Sequence, residues 1–305
     1  MIRAGDFAKS PALFLFEGGG EMPIRCVVVD FDGTFTDVEA EAAEFESSFQ
    51  AEVATVCERD VSQAWREERA EIAAHPQQYG WVYNGVVVAP ANADPYIRTS
   101  SVAQRVFDRF GVLTDKDARS ATVQAFYRKA YERTKTAFRP DARDVLEALV
   151  DSGLPVAIVT NAHPDVVLRK LETLAPRGRE KLNVRGEARK FVLEPAKVAD
   201  PRFSALPETR QLSGLPRPIY LRRGPYFDTL RAIWAQTGTT PDETLLAGDI
   251  FELDLAMPAA LGVRVHLVEG PGVAPWEREA VIAMGERGGL SDTLRPILGR
   301  IDAVR

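Results

Sequence analysis

Cysteine, histidine and lysine are all scarce in this chain. The only two cysteines among 305 residues, Cys26 and Cys57, are too few for a disulfide framework. Cys26 opens an apolar run and reads as a small buried hydrophobe. The three histidines, His75, His163 and His266, share no metal-ligand spacing, which argues against a zinc site. No stretch approaches the ~20 apolar residues that span a bilayer. Excess positive charge is also missing, since the net charge is −6. No nucleic-acid partner and no membrane partner are therefore expected, and a cytoplasmic location is. Lysine numbers 8 against 30 arginines. With the abundant alanine, this reads as the codon usage of a GC-rich bacterial genome rather than as chemistry.

Apolar residues are plentiful. At 45% hydrophobic the chain can bury one large domain or two ordinary ones. Residues 1–21 stand apart. Ala12–Phe16 is too short for a signal-peptide core and lacks a clean cleavage site. Glu17-Gly-Gly-Gly-Glu21, directly before Met22, resembles a translated ribosome-binding site. Met22 is expected to be the natural start, with residues 1–21 a leader or a loosely packed arm.

Five short apolar runs predict strands buried on both faces: Arg25–Asp30, Pro155–Thr160, Pro218–Leu221, Thr244–Ala247 and Val263–Val268. Lys190–Leu193 is a sixth candidate. Amphipathic helices are predicted between them, at Asp141–Val150, which stops at Gly153, and at Tyr226–Gln236, which stops near Gly238. Alternation of strand and helix predicts an α/β fold, a Rossmann-like parallel sheet covered on both faces. Asp37–Ala73 breaks the rhythm. It holds no glycine or proline, and Phe45, Phe49, Val53, Cys57, Val61 and Trp65 recur every fourth position. That predicts one long amphipathic helix, or two end to end. The stripe reads first as packing within its own unit, with a homodimer seam as the alternative. Val102–Phe110 and Ala118–Thr136 also read as helical, and His75–Ser100 as irregular. The expected organisation is a core of residues 22–36 and 145–305, with a helical insert at 37–144.

Chemistry concentrates in four places, each just beyond a predicted strand. They are Asp30-Phe-Asp-Gly-Thr34, Thr160-Asn161, Arg222-Arg223 and Gly248-Asp-Ile-Phe-Glu-Leu-Asp254. Open parallel sheets bind ligands at that edge, so the four pieces are expected to converge. Several carboxylates at one point raise each other's pKa. A hard divalent cation with oxygen ligands, Mg²⁺ with substrate phosphate above all, removes the conflict. Asp30 can then act as an ionised nucleophile. Thr, Asn and Arg side chains supply donors for phosphate oxygens. Asp32 can pass a proton to a leaving oxygen and take one from water.

This set resembles the haloacid dehalogenase superfamily, whose members are mostly Mg²⁺-dependent phosphatases. The resemblance covers Pro23–Asp37 and the stretch from about Pro140 to Val268. It implies that Asp30 is nucleophile and metal ligand, and that Asp32 is acid/base and lends its backbone carbonyl to the metal. It further implies that Thr160 and Asn161 bind the phosphoryl group, that Asp249 ligates the metal and that Asp254 supports it. Gly33 and Thr34 would shape the turn. The helical insert would be the family's mobile cap. One departure concerns the family's lysine ahead of the last motif. Counting back from Asp249 places it near Gly224, so Arg223 is the closest cation for the phosphate, Arg222 the alternative and Lys197 a distant third. An arginine there is not a lysine equivalent.

Weaker candidates have plainer explanations. Glu252 reads as a solvated helix residue, His163 as a helix start, and Asp151 and Asp165 as helix-end or capping residues. Trp81, Tyr83, Tyr96 and Arg98 fall in the irregular part of the insert, where packing competes with contact to a leaving group. The expected function is hydrolysis of a small phosphorylated metabolite through an aspartyl-phosphate. A dehalogenase or a phosphonate hydrolase of the superfamily would not need Asp32. A phosphosugar mutase would keep both aspartates. A non-catalytic binding protein is the reading from another class, and buried charge without a use argues against it.

Overall fold

The computed structural model describes residues 22–302; the expectation for residues 1–21 lies outside the described residues. The chain begins with β1 (Cys26–Val29) and passes into a helical unit. That unit comprises α1 (Val38–Cys57), α2 (Ser62–Ala74), the hairpin β2 (Gly80–Tyr83) and β3 (Val86–Pro90), α3 (Pro95–Phe110) and α4 (Lys116–Arg133). The chain returns through α5 (Ala142–Asp151), β4 (Val156–Val159), α6 (Pro164–Leu174) and β5 (Asn183–Arg185). Next come α7 (Pro201–Ala205), a small hairpin of β6 (Thr209–Arg210) and β7 (Ile219–Tyr220), and α8 (Gly224–Thr237). It ends with β8 (Thr244–Gly248), a π-helical turn at Phe251–Leu255, α9 (Ala256–Ala260), β9 (Arg264–Val268), α10 (Pro275–Ile282), β10 (Gly288–Ser291) and α11 (Pro296–Asp302).

Six strands form one parallel sheet in the order β10-β9-β8-β1-β4-β5. β1 sits between β8 and β4, and its residues alternate between two cores as the strand period requires. Cys26 and Val28 pack with Tyr226, Phe227 and Trp234 of α8, whereas Val27 and Val29 pack with Leu146 of α5, Val167 of α6 and Ile297 of α11. Cys26 is fully buried, and burial pushes its thiol up to about 11, as befits a small core residue. Among the described residues no helix is long and apolar enough to cross a membrane.

Two strand expectations need correction. Pro218–Leu221 does form β7, but β7 pairs antiparallel with β6 and stands outside the main sheet. Its apolar residues serve the core beside α8. Lys190–Leu193 is not a strand. The missing sheet positions are taken by β5 and β10, which are short, only partly buried edge strands. The irregular stretch 75–100 contains the β2–β3 hairpin.

The predicted helix over 37–73 is two helices, broken where Glu58 adopts φ 52°. Phe45, Phe49, Val53, Cys57, Val61 and Trp65 are all buried, against Tyr96, Val102, Val106 and Phe107 of α3 and Val123 and Ala130 of α4. Two linkers join this unit to the sheet and hold each other. Asp37 N–H donates to Ala137 O at 3.0 Å, and Arg139 N–H donates to Phe35 O at 3.0 Å. The Arg139 guanidinium then binds the carbonyl oxygens of Gly33 and Glu269, tying the turn after β1 to the loop after β9.

One buried histidine makes stability depend on pH. His266 on β9 is 2% exposed, bonds Ser291 Oγ at 2.7 Å, and leaves Nδ1 without a partner. Burial, aided by the Arg300 charge, lowers its pKa from 6.5 to about 4. Above pH 6.5 the ring is neutral folded or unfolded and costs nothing. Between 6.5 and 4 only the unfolded chain takes up the proton, so stability falls as the pH drops through that window. The full effect is ~3 kcal/mol. Chemical denaturation at stepwise pH should show a shallower acid loss in His266→Gln than in the wild type.

Candidate active site

β1 and β8 run side by side and both end in aspartate. Asp30 N–H donates to Ala247 O at 2.8 Å, which sets the start of the first acidic turn beside the second. Asp30, Asp249 and Asp254 each offer a carboxylate oxygen within 4.8 Å of the others. All three are buried, at 7%, 5% and 2% exposure. Glycine permits this crowding. Gly33 has φ 85°, and a Cβ there would collide with the Asp249 carboxylate. A Cβ at Gly248 would likewise press on Asp254. Thr34 Oγ1 lies 3.2 Å from Asp30 Oδ2 and 3.3 Å from Asp249 Oδ1, so its hydroxyl bridges the two turns. Asp254 is fixed by the Ile250 N–H, which donates to its Oδ2 at 3.1 Å, and by Tyr226, whose hydroxyl donates to its carbonyl.

The cation of this cluster is Lys190, not Arg223. Lys190 Nζ lies 2.6 Å from Asp30 Oδ1 and 2.8 Å from Asp254 Oδ1, with the lysine 1% exposed. Burial alone would lower its pKa, but Asp254 and Asp30 outweigh burial and raise it. Arg223 is fully buried, and its guanidinium is spent on three backbone carbonyls, those of Tyr220, Lys190 and Val88, at 2.7–3.0 Å. It staples the β3 strand to the Lys190 loop and is absent from the carboxylate cluster. Arg222 is exposed and bonds the carbonyls of Leu206 and Ser204. Lys197 is exposed beyond the site. Residues 191–223 separate Lys190 from α8, so counting back from Asp249 lands on the wrong residue. Lysine scarcity was the available signal: among the described residues, the buried lysines are Lys170 and Lys190.

Thr160 and Asn161 follow β4, next to β1. Thr160 is 2% exposed, and its backbone bonds Arg185 O and the Ala188 N–H. Asn161 Oδ1 accepts from the Lys190 N–H at 2.8 Å, so it positions the loop that carries the lysine. Asp32 stands outside the three-carboxylate cluster. Its Oδ1 lies 2.6 Å from Lys170 Nζ, and its Oδ2 accepts from the Tyr131 hydroxyl at 3.1 Å. Neither partner belongs to a motif legible in the sequence.

Burial raises the Asp30 pKa to about 7 against the opposing pull of Lys190, with Asp254 and Asp32 adding to the rise. Burial raises Asp249 well above the usual carboxylate range, with Asp30 and Asp254 contributing. Fully ionised, three carboxylates against one ammonium would leave two negative charges. A divalent cation with oxygen ligands matches that deficit, and the donor set suits Mg²⁺ better than a softer metal.

The weaker candidates sort by contact. Glu252 is 2% exposed and forms a two-pronged ion pair with Arg217 at 2.7 and 2.8 Å, correcting its reading as a solvated residue. His163 accepts from the Asp165 N–H and caps α6. Trp81 stacks on Phe191 at 4.2 Å and Tyr83 bonds Glu194, so both dock the hairpin on the Lys190 loop. Tyr96 bonds Glu41 and packs on Phe45, Tyr127 and Tyr131, while Arg98 pairs with Glu39.

A family model described as haloacid dehalogenase-like hydrolase matches residues 24–262. No curated protein matches the chain. Solved structures do. A HAD-type hydrolase from Bacillus subtilis bound to magnesium is 13% identical over 92% of this chain and 100% of its own, with TM-score 0.49. A predicted phosphoglycolate phosphatase from Haemophilus somnus is 17% identical over 81% and 86%, with TM-score 0.47. The L-2-haloacid dehalogenase of Xanthobacter autotrophicus is 16% identical over 92% and 100%, with TM-score 0.45.

Proposed function

The chain belongs to the haloacid dehalogenase-like hydrolase family, and from that premise we propose that it is a Mg²⁺-dependent phosphatase acting on small phosphate monoesters. The observation that carries this reading is the pairing of Asp30 with three further carboxylates of distinct placement. Asp249 and Asp254 crowd Asp30 with a charge deficit of two, and Asp32 stands apart. Displacement of a halide needs a nucleophilic carboxylate but neither a cation site nor a proton donor for the leaving atom. Phosphate ester hydrolysis needs both.

The roles follow from position. Asp30 attacks phosphorus, and the ester oxygen departs with a proton from Asp32. Asp32 then takes a proton from the water that attacks the phosphorus of phospho-Asp30, regenerating the carboxylate. Thr160 and Asn161, at the edge beside β1, hold phosphoryl oxygens, and Lys190 offsets charge on Asp30. Mg²⁺ held by Asp30, Asp249 and the Asp32 carbonyl, with Asp254 in support, would neutralise the carboxylates and the phosphoryl oxygens. The substrate is a phosphorylated metabolite of small size.

Turnover of an aryl phosphate should therefore require Mg²⁺, stop on chelation with EDTA and return on Mg²⁺ addition. Activity surviving exhaustive chelation contradicts the metal assignment. Turnover of a haloacid, with none on a broad phosphate panel, contradicts the reaction class.

A further inference from the structure

Asp32 is held from both sides by residues that no motif announces. Lys170 comes from α6, on the sheet core, and Tyr131 from α4, in the helical unit. Each engages a different oxygen of the carboxylate, at 2.6 and 3.1 Å. The Lys170 ammonium also lies 4.7 Å from the centre of the Tyr131 ring, so the two partners brace each other. Lys170 is 7% exposed. A buried ammonium is costly unless paired, and Asp32 is the carboxylate within ion-pair distance of it. A cleft of about 140 Å³ between α4 and α6 is lined by Tyr131, Lys170, Val166 and Thr173.

We propose that Lys170 is a positioning residue for proton transfer: it anchors Asp32 Oδ1, keeps this carboxylate out of the cation site, and presents Oδ2 to the leaving-group oxygen. Tyr131 supplies the exchangeable partner of Oδ2: with substrate bound, Oδ2 carries the proton, and the ester oxygen takes the place of the phenol and accepts that proton as its bond to phosphorus breaks. The asymmetry of the two contacts sets this order. The ammonium bond is short and joins two opposite charges, whereas the phenol bond is longer and joins an uncharged donor to the carboxylate. A carboxylate two residues from Asp30 and free of Lys170 would instead be drawn to the cation. The ionic tether thus separates the proton-transfer carboxylate from the metal-binding ones. This inference rests on the phosphatase reading, in which Asp32 protonates the leaving oxygen.

The test compares kcat/KM for phenyl phosphate, whose leaving group needs a proton, with kcat/KM for a dinitrophenyl phosphate, whose leaving group does not. This parameter reports steps only through departure of the first product, so the later hydrolysis of phospho-Asp30 does not enter. Lys170→Met should lower the phenyl phosphate value by about 100-fold, the scale of a misplaced catalytic group. The dinitrophenyl phosphate value should change little. Lys170→Arg should recover part of the loss. Tyr131→Phe, which removes one hydroxyl from a packed ring, should show the same substrate-dependent pattern with a smaller loss, and it carries the test should Lys170→Met not fold. Equal losses on both esters would mean that Lys170 is merely structural and overturn the proposal, as would wild-type values on both. Asp32→Asn separates the two levels. Asp32→Asn inactive on phenyl phosphate with Lys170→Met unchanged rejects only the role of Lys170. Asp32→Asn at the wild-type rate on phenyl phosphate rejects the phosphatase mechanism and this inference together.

Discussion

Asp32→Asn should lose roughly 10²–10⁴-fold in steady-state turnover while phosphoryl accumulates on Asp30. The substitution removes the group that moves protons and leaves the attacking carboxylate in place. With an activated aryl ester the first half-reaction needs no proton, so phospho-Asp30 forms. Its hydrolysis then lacks a base and stalls. The substitution is nearly isosteric, and the amide nitrogen can no longer pair with the Lys170 ammonium, which lies 2.6 Å from Oδ1 in the wild type. The amide oxygen can turn towards Lys170 and keep a hydrogen bond to the ammonium but not its counter-charge, so the variant should fold with reduced stability. Acid quench followed by intact mass reads the trapped species directly. Full turnover in Asp32→Asn removes proton transfer from its account.

Lys190→Met should lose turnover by about 10²–10³-fold, the range for removal of a charge-stabilising donor. It should also lose about 3–5 kcal/mol of stability measured in the absence of divalent cation. The reason is local. Lys190 Nζ is shared between Asp30 and Asp254 at 2.6 and 2.8 Å, and all three side chains are buried. Without it three buried carboxylates face one another. Mg²⁺ should therefore stabilise Lys190→Met more than it stabilises the wild type, and thermal unfolding with and without Mg²⁺ measures the difference. Arg223→Met is the contrasting variant. Arg223 holds the carbonyls of Val88, Lys190 and Tyr220, so its loss should loosen the hairpin without producing this cation-dependent gain. An equal response of wild type and Lys190→Met to Mg²⁺ would show that Lys190 is not part of the cation's charge balance.

The two aspartate-rich turns were legible because each is contiguous. A short apolar strand followed at once by Asp30 and Asp32, or by Asp249 and Asp254, carries its own address at the carboxyl edge of the sheet. Parallel order then brings β1 and β8 together with no further information. Lys190 was not legible because its address is not local. It reaches the cluster from a loop after β5, a strand of three partly exposed residues, and residues 191–223 separate it from the helix against which the register was counted. Arg223 looked suitable by type and position, yet β7 belongs to a separate hairpin and turns its arginine onto backbone. An apolar run such as Pro218–Leu221 states that it is buried, not which sheet buries it. Tyr131 and Lys170 were hidden for a related reason. Their contact with Asp32 depends on how α4 docks beside α6, which no periodicity encodes.

The central claim is that Asp30 carries the phosphoryl group between the two half-reactions. The most direct measurement is acid quench of the wild-type protein during turnover of an aryl phosphate with Mg²⁺, followed by peptide mapping of the phosphorylated residue. Phosphoryl on Asp30, absent together with turnover in Asp30→Asn, is the predicted result. Phosphoryl on another residue, or aryl phosphate turnover undiminished in Asp30→Asn, would contradict it.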